Sequence, residues 1–395
     1  MTDTLMSGLP ESPFARLGAL LGETRPGKEP INLSVGDPGG SVPAFVGEVL
    51  ARSQDAFGAY PPIIGSEDWR KAATDWLNRR FALAGALDQR HVLPLNGTRE
   101  GLFSALFPLL PMQKKGGKPV VAMPNPFYQA YAAAALGINS EALYVPSTRS
   151  RGFLPDYAGL PEKMLARLAA LYVSSPSNPE GAAAGEDYWR DLFSLAEHHD
   201  FIVLADECYA DIYYGRPPAS ALATRLKQSG GFSRLLTFHS LSKRSGLPGL
   251  RSGMVAGDAG LIARLSAFRN VAGPQMPGPI MAASAAAWAD EAHVAANRGL
   301  YSQRMAAAAR ILGNRITVPQ GGFFLWLHTG EGERTAVELW REQGVKVLPG
   351  AYMGREVQPG ESRSNPGFCY VRLALVKDLS TITTALERVR DFLGP

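Results

Sequence analysis

Cysteine is nearly absent from these 395 residues, and the two present, Cys208 and Cys369, stand far apart. A disulfide framework is therefore excluded, and both are expected as buried free thiols in a reducing cytoplasm. An excess of either charge is also missing. Forty Lys and Arg against 36 Asp and Glu leave a net charge of +4, too slight to mark a nucleic-acid or membrane-surface protein. The densest basic stretch, Lys114, Lys115 and Lys118 among glycines, reads as an exposed turn. Long apolar runs are lacking as well. The longest uncharged one, Ile280–Ala289, is about half of a membrane span, and the opening MTDTLMSGLPESPF has no basic head followed by an apolar stretch, so no signal peptide is expected.

Several chemical signatures are missing too. There is no G-x-G-x-x-G for a dinucleotide and no G-x-S-x-G nucleophile elbow. The six histidines show no zinc spacing, and His198–His199 reads as the end of a surface helix. Gly22–Lys28 approaches a P-loop, but Glu29 stands where a hydroxyl is needed and Pro30 where a helix should begin.

What is present is a large globular chain. Hydrophobic residues make up 46% and charged residues 19%, so a large core is possible and wholesale disorder is excluded. The length suits two or three domains, or one large α/β unit with a smaller partner. Strands are predicted at His91–Leu95, Pro119–Met123, Ala142–Val145, Ala169–Ser174, Phe201–Ala205, Arg234–Phe238 and Ser252–Ala256, with helical patterns such as Asp187–His198 and Gly260–Asn270 between them. Runs such as VVAM, LYVS and IVLAD are apolar on both faces, as buried parallel strands are. An α/β fold with a mostly parallel sheet follows. Beyond an Ala-rich helical stretch at about 275–314, the runs FFLWL, VKVLPG and CYVRLAL predict a smaller α+β domain. The expected division is an arm with part of the small domain over 1–43, a large domain over 44–285 and a small domain over 286–395.

Five clusters fall where strands end or helices begin, or hold a charge inside a strand. Ser240, Ser242 and Lys243 follow the strand LLTF; a desolvated lysine there loses basicity and can act as a Schiff-base nucleophile, though a solvated loop lysine is the alternative. Asp206 ends the apolar run FIVLA and needs a cation if buried, or else serves as a cap; Tyr209 follows three residues on. Gly97, Thr98 and Arg99 open a helix whose free N–H groups suit a phosphate, with Arg251 in reach, although Thr98 could simply be an N-cap. Asn178 sits in a polar turn, and Arg372 lies within an apolar strand, where it requires a carboxylate. One ligand satisfies the set, a phosphorylated, cationic pyridine aldehyde. An Asp206–pyridinium pair at about 4 Å and an effective dielectric near 20 is worth roughly 4 kcal/mol, about 3 pK units.

These residues also carry a likeness. DECY, SLSKRSGLPGLRSG and YVRLAL resemble the fold-type-I, class I/II aminotransferases, including the eight-residue step from Lys243 to Arg251. The resemblance implies that pyridoxal 5'-phosphate is the cofactor. It implies that Lys243 holds it, Asp206 faces the ring nitrogen, Tyr209 and Asn178 face the phenolic oxygen, and Tyr128 stacks on the ring. Gly97, Thr98, Arg99, Ser240, Ser242 and Arg251 then fall on the phosphate site, and Gly36 and Arg372 on the substrate carboxylate. Tyr60 matches a tyrosine that reaches the neighbouring subunit's phosphate, which implies a homodimer. Longer strings, PNPFYQAY, LSKRSGLPGLRSGMVAGD and AAWADEAHVAANRGLY, resemble the succinyldiaminopimelate aminotransferases and imply N-succinyl-L,L-diaminopimelate and 2-oxoglutarate as substrates. The turn SPSNPEG departs from the family's usual NPxNPTG, with Ser175 and Glu180 in place of Asn and Thr. Arg99 and Arg244 are candidates for a second substrate carboxylate, with surface solvation the simpler role for either. The alternatives are an aminotransferase for another amino acid, a β-lyase sharing the same cofactor site, or a cofactor-sensing regulator, which is not expected because fold-like sequence begins near Ile31 and leaves no room for a DNA-binding module.

Overall fold

A computed structural model describes residues 9–115 and 117–394. The chain enters through helix α1 (Pro13–Leu21) and a two-residue strand β1 (Ile31–Asn32). Seven strands then build the main sheet: β2 (Val92–Leu95), β3 (Val120–Asn125), β4 (Glu141–Pro146), β5 (Leu168–Ser174), β6 (Ile202–Asp206), β7 (Leu235–Ser240) and β8 (Gly253–Gly257). Their order is β2-β8-β7-β6-β5-β3-β4. Only β8 runs against its neighbours, and every other pairing is parallel.

The alternation along the buried strands explains the layers. Val120 and Ala122 of β3 and Val203 and Ala205 of β6 face one core, whereas Val121, Met123 and Leu204 face the other. Successive strand residues point to opposite faces, so runs apolar throughout need helices on both sides. Parallel neighbours require long crossovers, and helices such as Gln129–Gly137, Glu186–His199 and Ala221–Ser229 supply them. The β7–β8 connection is too short for one, so β8 returns antiparallel, and that connection carries Lys243 and Arg251.

A second body forms around an antiparallel sheet of β9 (Phe324–His328), β11 (Leu348–Pro349) and β12 (Tyr370–Ala374), in the order β11-β12-β9. Helices Ala292–Leu312, Gly332–Gln343 and Leu379–Leu393 share its core. Strand β10 (Val345–Lys346) pairs in parallel with β1, and α1 sets Leu17 and Leu21 against Leu348, Tyr352 and Met353. The stretch resembling a P-loop is a turn after α1, with no helix behind it before β1.

Four expectations are corrected by packing. Lys114 is no exposed turn residue: its Nζ donates to the carbonyls of Leu168, His199 and Asp200, closing off a strand end and a helix end. Cys208 is buried, but Cys369 is only half-buried. The His198–His199 pair ends the helix Glu186–His199 as expected, but His199 is buried rather than at the surface. Arg244 is not solvated; it is 2% exposed, donates to the Ala287 carbonyl at 2.6 Å and to Glu291 at 2.8 Å. Its Nε lies 3.1 Å from Asp211 Oδ2 as an ion pair without hydrogen-bond alignment.

Removing one partner from a buried ion pair strands the other. Arg244→Ala is therefore expected to cost about 3–5 kcal/mol of stability, read from the urea midpoint, whereas exposed Arg99→Ala should cost under about 0.5 kcal/mol. Equal midpoints for the two variants would contradict the structural role of Arg244.

Candidate active site

All of the sequence-selected site residues except Gly97, Tyr60 and Arg244 line one cavity of about 490 Å³. It opens where β5, β6 and β7 end, with Pro13 and Phe14 of α1 and Phe324 and Arg372 of the second sheet on the opposite wall.

Lys243 lies in the single turn Leu241–Arg244 that follows β7. Ser240 caps this turn by accepting the Ser242 N–H at 3.2 Å. The lysine Nζ donates to the Gly36 carbonyl at 3.3 Å and stands 5.4 Å and 5.8 Å from the rings of Phe323 and Tyr209. Burial pulls its pKa down to about 8, against the upward pull of Cys208 and Asp37. At pH 7.5 roughly a quarter of such an amine is neutral, where a free lysine would be almost wholly charged.

Asp206 is the last residue of β6. Tyr131 donates its hydroxyl to Oδ2 at 2.6 Å and the Cys208 N–H reaches Oδ1 at 3.2 Å. Neither partner is a cation, and burial pushes the carboxyl above its usual range despite these bonds. Cys208 donates its thiol to Thr98 Oγ1 at 3.2 Å, tying the β6 end to the Gly97 turn.

Gly97 has φ +85°, and a Cβ there would meet Arg251 Nη2 at 2.2 Å. Only glycine fits, because the backbone is left-handed and the guanidinium lies across it. Arg251 donates to the carbonyls of Pro248 at 3.0 Å and Asn96 at 3.4 Å, and neither neutralises it. Thr98, Ser240, Ser242 and Arg251 thus present hydroxyls and one cation to the same end of the cavity. Arg99 stays exposed and donates from Nε to the Tyr128 hydroxyl at 2.5 Å. Burial raises the Tyr128 and Tyr209 phenols, so both stay neutral.

Arg372 is 4% exposed. It donates to Asn178 Oδ1 at 3.0 Å and to the Ser34 carbonyl at 2.8 Å, and its guanidinium lies 4.4 Å over the Phe324 ring. Its Nε has no partner, and burial lowers its pKa to about 10, which still leaves it charged. Tyr60 stands apart, 96% exposed.

Tyr131, Phe324 and Glu180 were not among the residues selected from sequence. Tyr131 had a signal, since it lies one helical turn beyond Tyr128. Phe324 sits in a run that reads only as a strand. Glu180 is 8% exposed and its Oε1 has no partner. Among the described residues no group of three or more His, Cys, Asp or Glu could hold a metal, and no helix is long and apolar enough to cross a membrane.

The unanswered groups define a ligand: a cup for phosphate, an acid without a cation, a poorly basic amine and a buried guanidinium with an open donor. A phosphorylated pyridine carbonyl compound with a carboxylate substrate fits each of them.

Comparison with known proteins agrees. The family model for aminotransferase class I and II matches residues 28–371. The chain is 33% identical to a 4-dedimethylamino-4-oxo-anhydrotetracycline transaminase of Streptomyces rimosus, covering 91% of this chain and 92% of that one. It is 30% identical to an LL-diaminopimelate aminotransferase of Dehalococcoides mccartyi, covering 98% and 97%. Among solved structures, an aminotransferase of Neisseria meningitidis superposes with a TM-score of 0.92 at 36% identity, over 98% and 99% of the two chains. A probable N-succinyldiaminopimelate aminotransferase of Thermus thermophilus gives a TM-score of 0.82 at 25% identity, over 96% and 100%. The chain therefore belongs to the class I and II aminotransferases: a fold-type-I enzyme that uses pyridoxal 5'-phosphate to move amino groups between small amino and oxo acids.

Proposed function

We propose that this enzyme exchanges the amino group of N-succinyl-L,L-2,6-diaminopimelate with 2-oxoglutarate, in the cytoplasmic synthesis of diaminopimelate and lysine. The observation that carries this reading is the spread of cations in one cavity, with Arg372 buried at its wall and Arg99 exposed beside Tyr128. Two such cations suit a donor with a carboxylate at each end. A second reading, the unacylated LL-diaminopimelate, is favoured by the LL-diaminopimelate aminotransferases at about 30% identity.

Bound cofactor supplies an electron sink for the Cα–H bond that breaks. Lys243 holds the cofactor and then, as a free amine of lowered basicity, carries the proton away from Cα. Asp206, its orientation fixed by Tyr131 and Cys208, keeps the ring nitrogen protonated. Asn178 gives its carboxamide oxygen to Arg372, which leaves its N–H groups for the cofactor's phenolic oxygen, beside the Tyr209 hydroxyl. Tyr128 stacks on the ring. Gly97, Thr98, the Arg99 backbone N–H, Ser240, Ser242 and Arg251 would hold the phosphate, which leaves the Arg99 side chain for the second carboxylate. Arg372 and the Gly36 backbone take the substrate's α-carboxylate. In a homodimer, the exposed Tyr60 reaches the partner's phosphate site, and the large domain (44–285) and small domain (286–395) close over the substrate.

Mixing the holoenzyme with single amino donors tests the substrate. N-succinyl-L,L-diaminopimelate is expected to bleach the cofactor's visible absorbance with kcat/KM at least about tenfold above that of unacylated LL-diaminopimelate; the reverse order would establish the second reading. Lys243→Ala should abolish turnover, a fall of more than about 10⁴-fold, with an intact fold by circular dichroism. Arg372→Lys should lower kcat/KM by about 10²-fold or more, because lysine lacks the bidentate fork; an unchanged KM for donor and oxo acid would refute the carboxylate assignment.

The lysine also makes a pH prediction for cofactor-free protein. Its folded pKa, about 8, lies below the unfolded value near 10.5. Between those values the unfolded chain binds the extra proton, so this group's cost to folding is full below pH 8 and relieved as pH rises to 10.5. Lys243→Met should therefore stabilise the cofactor-free protein at pH 7 by roughly 1–3 kcal/mol, with a smaller gain at pH 10. Urea midpoints at the two pH values check it.

A further inference from the structure

The turn after β5 carries a carboxyl that the protein does not complete. Glu180 lines the cavity two residues from Asn178, is more than nine-tenths buried, and leaves Oε1 without a partner. Other buried acids nearby are answered. Asp211 takes Arg80 at 2.7 Å and faces Arg244, and Glu207 accepts the Ala221 N–H at 2.7 Å. For Glu180, only its own backbone N–H and the Ser177 hydroxyl ease the charge, and burial pushes its pKa up to about 7. A buried acceptor left open is costly, so a group on the substrate that donates a hydrogen bond would complete it.

The surroundings narrow the chemistry of that group. Tyr370 and Arg372 are two residues apart on β12, so their side chains share a face, and the Glu180 charge is felt at the Tyr370 phenol. Trp326 stacks on Tyr370 at 4.8 Å with planes 3° apart. On this face of the second sheet the Arg372 guanidinium is followed by the Trp326–Tyr370 pair. A buried carboxyl with an open oxygen favours an N–H, charged or amide, as its partner.

We propose that Glu180 accepts a hydrogen bond from the second nitrogen of a diamino dicarboxylate donor and thereby selects donors that carry an N–H at the far end of the chain. The inference rests on the diaminopimelate reading above: the distal carbon of such a donor bears a nitrogen, which calls for an acceptor. The nitrogen is an ammonium in the free donor and an amide N–H in the acylated one, and both present a hydrogen to the same oxygen.

Holoenzyme kinetics of the wild type, Glu180→Thr and Glu180→Gln test this with three donors. They are LL-diaminopimelate, its N-succinyl derivative, and L-2-aminopimelate, which has the same chain without the second nitrogen. In Glu180→Thr the ratio of kcat/KM for the wild type's preferred nitrogen-bearing donor to that for L-2-aminopimelate should fall at least about tenfold, mostly through KM. Glu180→Gln should keep most of that ratio if the preferred donor is acylated, because an amide oxygen still accepts from an amide N–H, and lose it if the donor is an ammonium. Melting temperature and cofactor content, expected unchanged or higher in Glu180→Thr, separate a folding defect from a recognition defect. Should Glu180→Thr not fold, the near-isosteric Glu180→Gln and the free ammonium donor carry the comparison. An unchanged ratio, or an equal fall for donors with and without the nitrogen, overturns the proposal. If the wild type turns over neither diaminopimelate donor, the donor reading fails. The pair L-lysine and L-norleucine, which differ in the distal amine, then judges Glu180 by the same ratio.

Discussion

Holding Asp206, Lys243 and Arg372 around one cavity works against folding, because Asp206 and Arg372 are buried, Lys243 is half-buried and desolvated, and their partners inside the protein are incomplete. Desolvation disfavours all three charged forms, and the directions follow: the acid rises, the amine and the guanidinium fall. The missing partners arrive with ligands. On the proposed reading, a ring cation would answer Asp206, a cofactor carbonyl would be held by Lys243, and a substrate carboxylate would answer Arg372. The scaffold keeps three such groups from relaxing toward solvent.

That service falls to a few rigid junctions. Ser240 fixes the turn bearing Lys243, Tyr131 fixes Asp206, and Cys208 links the acid's loop to the Gly97 turn through Thr98. Each junction sits where a strand buried on both faces emerges, so the backbone beneath it cannot shift without disturbing the packed core. Site geometry is set by the sheet, and the sheet is set by apolar alternation.

This dependence explains what could be read from sequence. Runs such as VVAM and IVLAD announced buried strands, and an Asp or Lys directly after such a run announced a functional end, since burial without a reason is penalised. The sequence pattern could not distinguish Arg99 from Arg244, because the burial of Arg244 depends on Asp211 and Glu291 arriving from distant segments. Lys114 misled for the same reason: its carbonyl partners lie 54 and 85 residues away. Phe324 hid inside a run whose periodicity says only strand, and its role beneath Arg372 appears when β9 and β12 pair. The single antiparallel strand β8 was legible only in the shortness of the connection before it.

Arg372 ties the two bodies together chemically. It belongs to β12, yet its bonds go to Ser34, just after β1, and to Asn178 on the turn after β5 of the main sheet. A guanidinium bonded to both segments couples the second sheet and the amino-terminal segment to that turn of the main sheet. Asn178 and Glu180 share one short turn, with Gly181 at φ +71° behind them and no room there for a Cβ, which would lie 2.5 Å from the Gly321 carbonyl and Pro319. The turn is therefore pinned where Gly181 meets Pro319 and Gly321, and Asn178 and Glu180 are held with it.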